Sequence, residues 1–180
     1  MNALIFNCSP VRTGATAAMV QIIAEQLSAR YETVAACIDD YSFRFCKGCR
    51  SCHETGVCAL PADGVTQIMA AFEAADIIVL AAPSYWADVP GQFKAFIDRC
   101  TPWSNTHEPH AALSAGKKGY AAVLRTGPGM QECERLTATA AHFLGHLEIP
   151  CCGSLCLTGV ESRADIPANM QKILDFCDTI

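Results

Sequence analysis

Four thiols crowd one short stretch of the chain: Cys46, Cys49, Cys52 and Cys58, spaced C-x2-C-x2-C-x5-C. Three thiols separated by two residues each can wrap one face of a metal ion or cluster, and a fourth beyond Gly56 can close it. The spacing is of the ferredoxin kind, with a longer last gap. Lys47 and Arg50 lie between the thiols, where positive charge stabilises thiolates and a negatively charged cluster. Three chemistries fit: an iron–sulfur cluster, a zinc ion on four thiolates, and free thiols or a redox disulfide.

A second candidate lies near the start. Asn7-Cys8-Ser9-Pro10-Val11-Arg12-Thr13-Gly14-Ala15-Thr16 joins a short apolar run to an amphipathic one. Ser9, Thr13 and Thr16 offer hydroxyls, and Gly14 permits a tight turn. A helix opening at Ala15 would aim free N–H groups and the positive end of its dipole at the loop, which suits a phosphate. Arg12 can add a charge-assisted contact. There is no Gly-Lys-Ser/Thr of a nucleotide P-loop and no Gly-x-Gly-x-x-Gly of a dinucleotide fold. Ser and Thr also cap ordinary helices, so taken alone the loop reads equally well as a capped turn.

Other residues carry less. His107 and His110, near Trp103, read first as parts of a solvated loop and second as the border of a substrate opening. Cys37, Cys100, Cys133, Cys156 and Cys177 read as small buried hydrophobes. Cys151 and Cys152 are neighbours on a strand and should face opposite ways. No Ser-His-Asp or paired-carboxylate arrangement stands out, so no side chain is assigned a catalytic role.

Composition narrows the setting. The chain has 180 residues, 51% of them apolar and 17% charged, with a net charge of −5. One core over residues 1–180 is expected, with a cysteine-rich loop at about 40–61. The charge balance argues against a nucleic acid or an anionic membrane surface as partner. No basic segment precedes a long apolar stretch, and no run reaches the roughly 18 to 20 residues of a membrane span. A cytoplasmic location is therefore expected, and the twelve cysteines point to metal, cluster or thiol roles before a disulfide framework.

The elements that position these residues follow from periodicity. Apolar runs at Ala3–Asn7, Thr33–Ile38, Asp76–Ala82, Tyr120–Leu124 and Cys151–Leu157 have strand length. Helical spacing appears at Ala15–Arg30, from an Asp63 cap to Ala74, from Pro90 to about Cys100, at Gln131–Leu147 and at about Ile166–Cys177. Ile77-Ile78-Val79-Leu80 is unbroken, as suits a central strand covered on both faces. Alternating strands and helices predict an α/β fold, a parallel sheet with helices on both faces. Ligands then gather at the carboxyl ends of the strands. All the candidate residues lie on loops there.

Taken together, the motifs resemble a known family. Ser-Pro-x-Arg-x-Gly-x-Thr after a first strand is similar to the phosphate loop of NAD(P)H-dependent FMN reductase-like flavoproteins. Pro83-Ser84-Tyr85-Trp86-Ala87-Asp88-Val89-Pro90-Gly91, continuing to Lys94-Ala95-Phe96-Ile97-Asp98-Arg99, resembles the loop that holds the isoalloxazine ring there and the helix that follows it, and Thr126-Gly127-Pro128-Gly129 matches the place where the family contacts the flavin edge. The cysteine run resembles the compact motif of iron–sulfur flavoproteins, a branch of the same family. The resemblance implies a flavodoxin-like, five-stranded sheet in the order 2-1-3-4-5. It implies FMN held by Ser9, Arg12, Thr13, Gly14, Ala15, Thr16, Pro83, Ser84, Tyr85, Trp86, Ala87, Asp88, Thr126, Gly127 and Gly129, and a [4Fe-4S] cluster on the four cysteines. It implies NAD(P)H or a reduced ferredoxin-like donor, a quinone or free flavin as acceptor, and homodimers or homotetramers. Tyr85 and Trp86 would then supply the faces of a flat slot. Two other readings stay open: a plain NAD(P)H-dependent FMN or quinone reductase without a working cluster, and a flavin-free module stapled by zinc.

Overall fold

The computed structural model describes residues 1–180. Five strands, β1 (Asn2–Asn7), β2 (Glu32–Cys37), β3 (Ile77–Pro83), β4 (Lys118–Leu124) and β5 (Cys151–Leu157), form one parallel sheet in the order β2-β1-β3-β4-β5. Six helices accompany it: α1 (Ala15–Leu27), α2 (Ser51–Thr55), α3 (Gly64–Ala74), α4 (Gly91–Arg99), α5 (Gln131–His146) and α6 (Met170–Asp178). This is the expected flavodoxin-like order, with the change in winding direction beside β1 and β3.

Every residue of β3 is buried, because helices cover both sides of the sheet centre. On one face α3, α4 and α5 enclose an aromatic core of Phe6, Phe72, Phe93, Phe96 and Phe143. Phe96 lies 5.7–6.4 Å, ring centre to ring centre, from each of the other four. On the other face α1 and α6 pack Met19, Ile23, Leu27, Ile173 and Phe176 against Ile5, Val79 and Leu157. The edge strand β2 is only half-buried.

Several boundaries move from their expected places. The first helix stops at Leu27 rather than Arg30, and Ile38 opens a single 3-10 turn instead of ending β2. The last helix begins at Met170, after two short 3-10 turns, the second of which opens on Pro167, a residue suited to a first helical turn. The cysteine-rich stretch holds a helix that periodicity does not reveal, α2, five residues long. Gly56 stops it in the left-handed region (φ 69°), donating its N–H to the Cys52 carbonyl at 2.9 Å. Cys100, Cys133 and Cys177 are buried as expected, whereas Cys37 and Cys156 are half-buried.

Asp63 caps α3 as expected, its Oδ1 accepting from Val65 N at 3.1 Å. At the same point Gly64 N donates to Ser42 O at 3.0 Å. A Cβ at Gly64 would stand 2.8 Å from Ser42 O and from Tyr41 Cβ, so glycine is what lets the two ends of the cysteine-rich segment touch.

Candidate functional site

The loops after β1, β3 and β4 meet around a cavity of about 230 Å³ at the carboxyl edge of the sheet. Ser9, Gly14, Ala15, Thr16, Pro83, Ser84, Tyr85 and Thr126 line it, as do Arg125 and Glu161. Helix α1 starts at this cavity, its N-cap Gly14 offering no side-chain oxygen to the first turn. That leaves the N–H groups of the first turn for an anion. Ser9 is set by its neighbours: its N–H donates to Asn7 Oδ1 at 3.0 Å, and its Oγ accepts from Val11 N at 3.1 Å.

Arg12 stands apart from this lining. Its guanidinium donates to Asp39 Oδ2 at 2.8 Å and Asp39 O at 2.7 Å, and also to Asp40. The two aspartates raise its pKa and direct its charge toward the exposed end of β2. Thr13 also lies off the cavity wall.

Residues 85–88 form a tight turn closed by two hydrogen bonds, Tyr85 N to Asp88 O at 2.8 Å and Asp88 N to Tyr85 O at 3.1 Å. Both central residues are left-handed, Trp86 at φ 54° and Ala87 at φ 59°. This is the geometry of a hairpin turn normally built from Asn or Gly, so two residues with full side chains hold it at a cost in strain. Tyr85 faces the cavity, while Trp86 is fully exposed (102%). The pair of rings expected to flank a slot is thus split in this chain.

A polar chain locks the second loop to the third. Ser84 Oγ donates to Glu132 Oε2 at 2.6 Å, Arg125 Nη2 pairs with Glu132 Oε1 at 3.0 Å, and Arg125 Nη1 donates to Gly129 O at 3.1 Å. The Arg125 Nε–H is buried without a partner. A Cβ on Gly127 would fall 2.2 Å from Arg125 Nη2, so Gly127 makes room for the guanidinium. Gly127 and Gly129 therefore shape the site through Arg125 and lie off its wall.

The four cysteines line a second cavity, of about 200 Å³, together with Lys47, Arg50, Asp98 and Arg99. Cys46 and Cys49 are exposed, Cys52 and Cys58 half-buried. The thiols ring a common space without converging: no three ligand-type side chains stand close enough together to hold one metal ion. Burial pushes the Cys52 thiol up, and the charges of Cys58, Cys46 and Cys49 push it further. Four thiolates around one space repel, and a positive centre between them would relieve that repulsion. The four thiol donors fit the positive core of a metal ion or cluster, and Lys47, Arg50 and Arg99 fit the net negative charge of the thiolate assembly around it.

His107 and His110 border this second cavity's loop and not the first cavity. His107 stacks on His53 with ring centres 4.3 Å apart, and a Cβ on Gly56 would stand 3.3 Å from Pro109 O. The 107–110 segment thus buttresses α2.

The NADPH-dependent FMN reductase family matches residues 1–159, with the three loops of the first cavity inside that span. The chain belongs to this family. Among relatives it is similar to an iron–sulfur flavoprotein of Archaeoglobus fulgidus, 29% identical over 125 residues, which is 69% of this chain and 54% of that protein. A second iron–sulfur flavoprotein of that organism is 32% identical over 100 residues, 55% of this chain and 48% of the other. The chain spans about half the length of these curated relatives. In fold it is similar to an NAD(P)H:quinone oxidoreductase from Methanothermobacter marburgensis, with a TM-score of 0.70, 13% identity, and 99% of this chain and 94% of that one covered.

Arg125 and Glu132 lie outside every motif read from the sequence, and Arg99 entered only as the last residue of the helix after the second loop. Arg125 directly follows the last residue of β4, where a charge at a strand's carboxyl end is the available signal. Glu132 sits in the first turn of α5, where an acid is ordinarily explained by the helix dipole. No helix is long and apolar enough to cross a membrane.

Proposed function

We propose that residues 1–180 act as one FMN-binding unit of an oxidoreductase of the iron–sulfur flavoprotein type. The observation that carries this reading is the meeting of the three loops around one cavity, at the uncapped N-terminus of α1. Bound FMN would supply two-electron acceptance and single-electron release, and a [4Fe-4S] cluster would supply a one-electron relay.

In this reading the N–H groups of Ala15 and Thr16, with the hydroxyls of Ser9 and Thr16, hold the phosphate. The second loop meets the ring through Pro83, Ser84 and Tyr85 and the third through Thr126, while Gly127 and Gly129 seat Arg125 behind them. Arg125, fixed by Glu132, brings positive charge to the edge where electron density builds up. Cys46, Cys49, Cys52 and Cys58 hold the cluster, and Lys47 and Arg50 favour their thiolates. NAD(P)H or a reduced ferredoxin-like protein serves as donor, and a quinone or free flavin as acceptor. The family resemblance implies assembly as a homodimer or homotetramer, and the exposed Trp86 and Tyr85 offer neighbouring apolar surface for it.

Purification without oxygen, followed by a visible spectrum and iron and zinc analysis, tests the reading. Flavin bands with about four irons per chain support it. Flavin without iron makes the chain a plain flavin or quinone reductase. Zinc without flavin makes it a stapled binding module.

A further inference from the structure

Arg99 ends α4, where a lone arginine ordinarily marks a solvated, dipole-favoured helix terminus. Instead it is 3% exposed and lies on the wall of the four-cysteine cavity. A guanidinium has five N–H donors. Three are engaged: Nη1 donates to Arg44 O at 2.6 Å and to Asp63 Oδ2 at 2.8 Å, and Nη2 donates to Asp63 Oδ1 at 3.3 Å. The two that remain, Nε–H and the second Nη2–H, lie on the same side of the planar group. Nε is buried and unpartnered. Asp63 holds the guanidinium paired at this wall, which Arg99 shares with Cys58. The spare edge of the guanidinium is therefore buried on the wall of the cavity that also holds the half-buried Cys58.

We infer that Arg99 is a positioning residue for the cysteine site: clamped by Asp63, it donates its free N–H groups to the Cys58 sulfur and sets the reduction potential of the cluster bound there. The inference rests on the reading that the four thiolates hold a [4Fe-4S] cluster. One-electron reduction adds one negative charge to the site and no proton. A buried positive donor facing Cys58 stabilises the reduced form, and hydrogen bonds to cluster sulfurs act in the same direction. Asp63 opposes this effect, because its carboxylate offsets part of the Arg99 charge. The two partners therefore act on the potential with opposite signs, which loss of packing alone does not produce.

The test is a redox titration with dithionite, followed by the electron paramagnetic resonance of the reduced cluster, on anaerobically reconstituted full-length protein. Wild type is compared with Arg99→Gln, Arg99→Lys and Asp63→Asn. Iron content of the wild type comes first: a chain that takes up no iron sinks the cluster reading itself. With iron bound, Arg99→Gln is expected to lower the midpoint potential and Asp63→Asn to raise it. Arg99→Lys keeps the charge against Asp63 but lacks the fork to reach Cys58 as well, so its midpoint falls between wild type and Arg99→Gln. Where Arg99→Gln does not fold, the other two variants carry the sign test. Midpoints unchanged in the folded variants, or shifted in the same direction by Asp63→Asn and the arginine variants, overturn the role of Arg99.

Discussion

Asp63 Oδ2 stands 2.8 Å from Arg99 Nη1, in a pair whose side chains are only 13% and 3% exposed. The same carboxylate accepts from Arg44 N at 3.2 Å and Val65 N at 3.1 Å. One residue thus ties the start of the cysteine-rich segment, the N-terminus of α3 and the C-terminus of α4.

Burial alone would raise the Asp63 pKa, but the hydrogen bonds from Arg99, Arg44 N and Val65 N hold it below the ordinary carboxylate value. A depressed folded pKa contributes stability that is fully present above the unfolded value of about 3.9, and is lost as pH falls through the folded value. The stability of the wild type against urea should therefore fall as pH drops below about 4. Asp63→Asn should show a flatter acid limb and a loss of roughly 3 kcal/mol at pH 7, as for breaking a buried pair. Parallel acid limbs in the two proteins would count against this role.

The phosphate reading predicts that Ser9→Ala and Thr16→Ala each weaken FMN binding about tenfold or more, since a hydrogen bond to a charged group contributes roughly 1.5–3 kcal/mol. Arg12→Ala should retain FMN nearly as well as wild type, because Asp39 and Asp40 already occupy the guanidinium. Fluorescence titration of the apoprotein with FMN measures all three. Unchanged affinity in the two hydroxyl variants would remove the phosphate assignment.

Gly127→Ala should push Arg125 off Glu132, since the new methyl needs the place of Nη2. The obstruction is the tip of a flexible side chain, so the fold survives and the site loosens. The expected result is a thermal midpoint within a few degrees of wild type with weaker flavin retention. Glu132→Gln, which weakens the same link from the other side, should behave alike.

Thiol chemistry should separate the cysteines sharply. Burial and the neighbouring Cys156 push the Cys133 thiol up to about 12, and burial pushes Cys177 up to about 11. Buried Cys8 and Cys100 are also raised. Alkylation of metal-free protein at pH 8, read by peptide mass spectrometry, should label the exposed Cys46, Cys49 and Cys152 first. Reconstitution with iron and sulfide should protect Cys46 and Cys49 while Cys152 still reacts.

Local chemistry made most of the fold legible before any coordinates. The unbroken run of β3 predicts a strand buried on both faces, and Asp63 predicts the start of α3. Both hold because they depend on neighbours within a few residues. Helix α2 escapes the same reasoning, since its stability comes from Gly56 and from the distant 107–110 segment. The site divides in the same way. Ser9, Gly14 and Thr16 are recognisable from one contiguous loop. Arg125 and Arg99 are not, because their meaning depends on Glu132, Gly127, Asp63 and Cys58, partners that only the fold brings near. Trp86 shows the converse: its residue type suggests a ring face, and the left-handed turn sends it outward.

The contact between Ser42 and Gly64 bears on how such a chain can change over generations. The two ends of the cysteine-bearing stretch are hydrogen-bonded to each other, so the segment between them hangs as a closed lobe from the edge of the sheet. Once the ends of a lobe are joined, its length enters stability only weakly, since doubling a loop adds only about 0.6 kcal/mol of closure cost. The stretch is an excursion that leaves and rejoins the fold at one point, so its length or ligand set can change without rerouting any strand, as long as Arg44 keeps its bonds to Asp63 and Arg99.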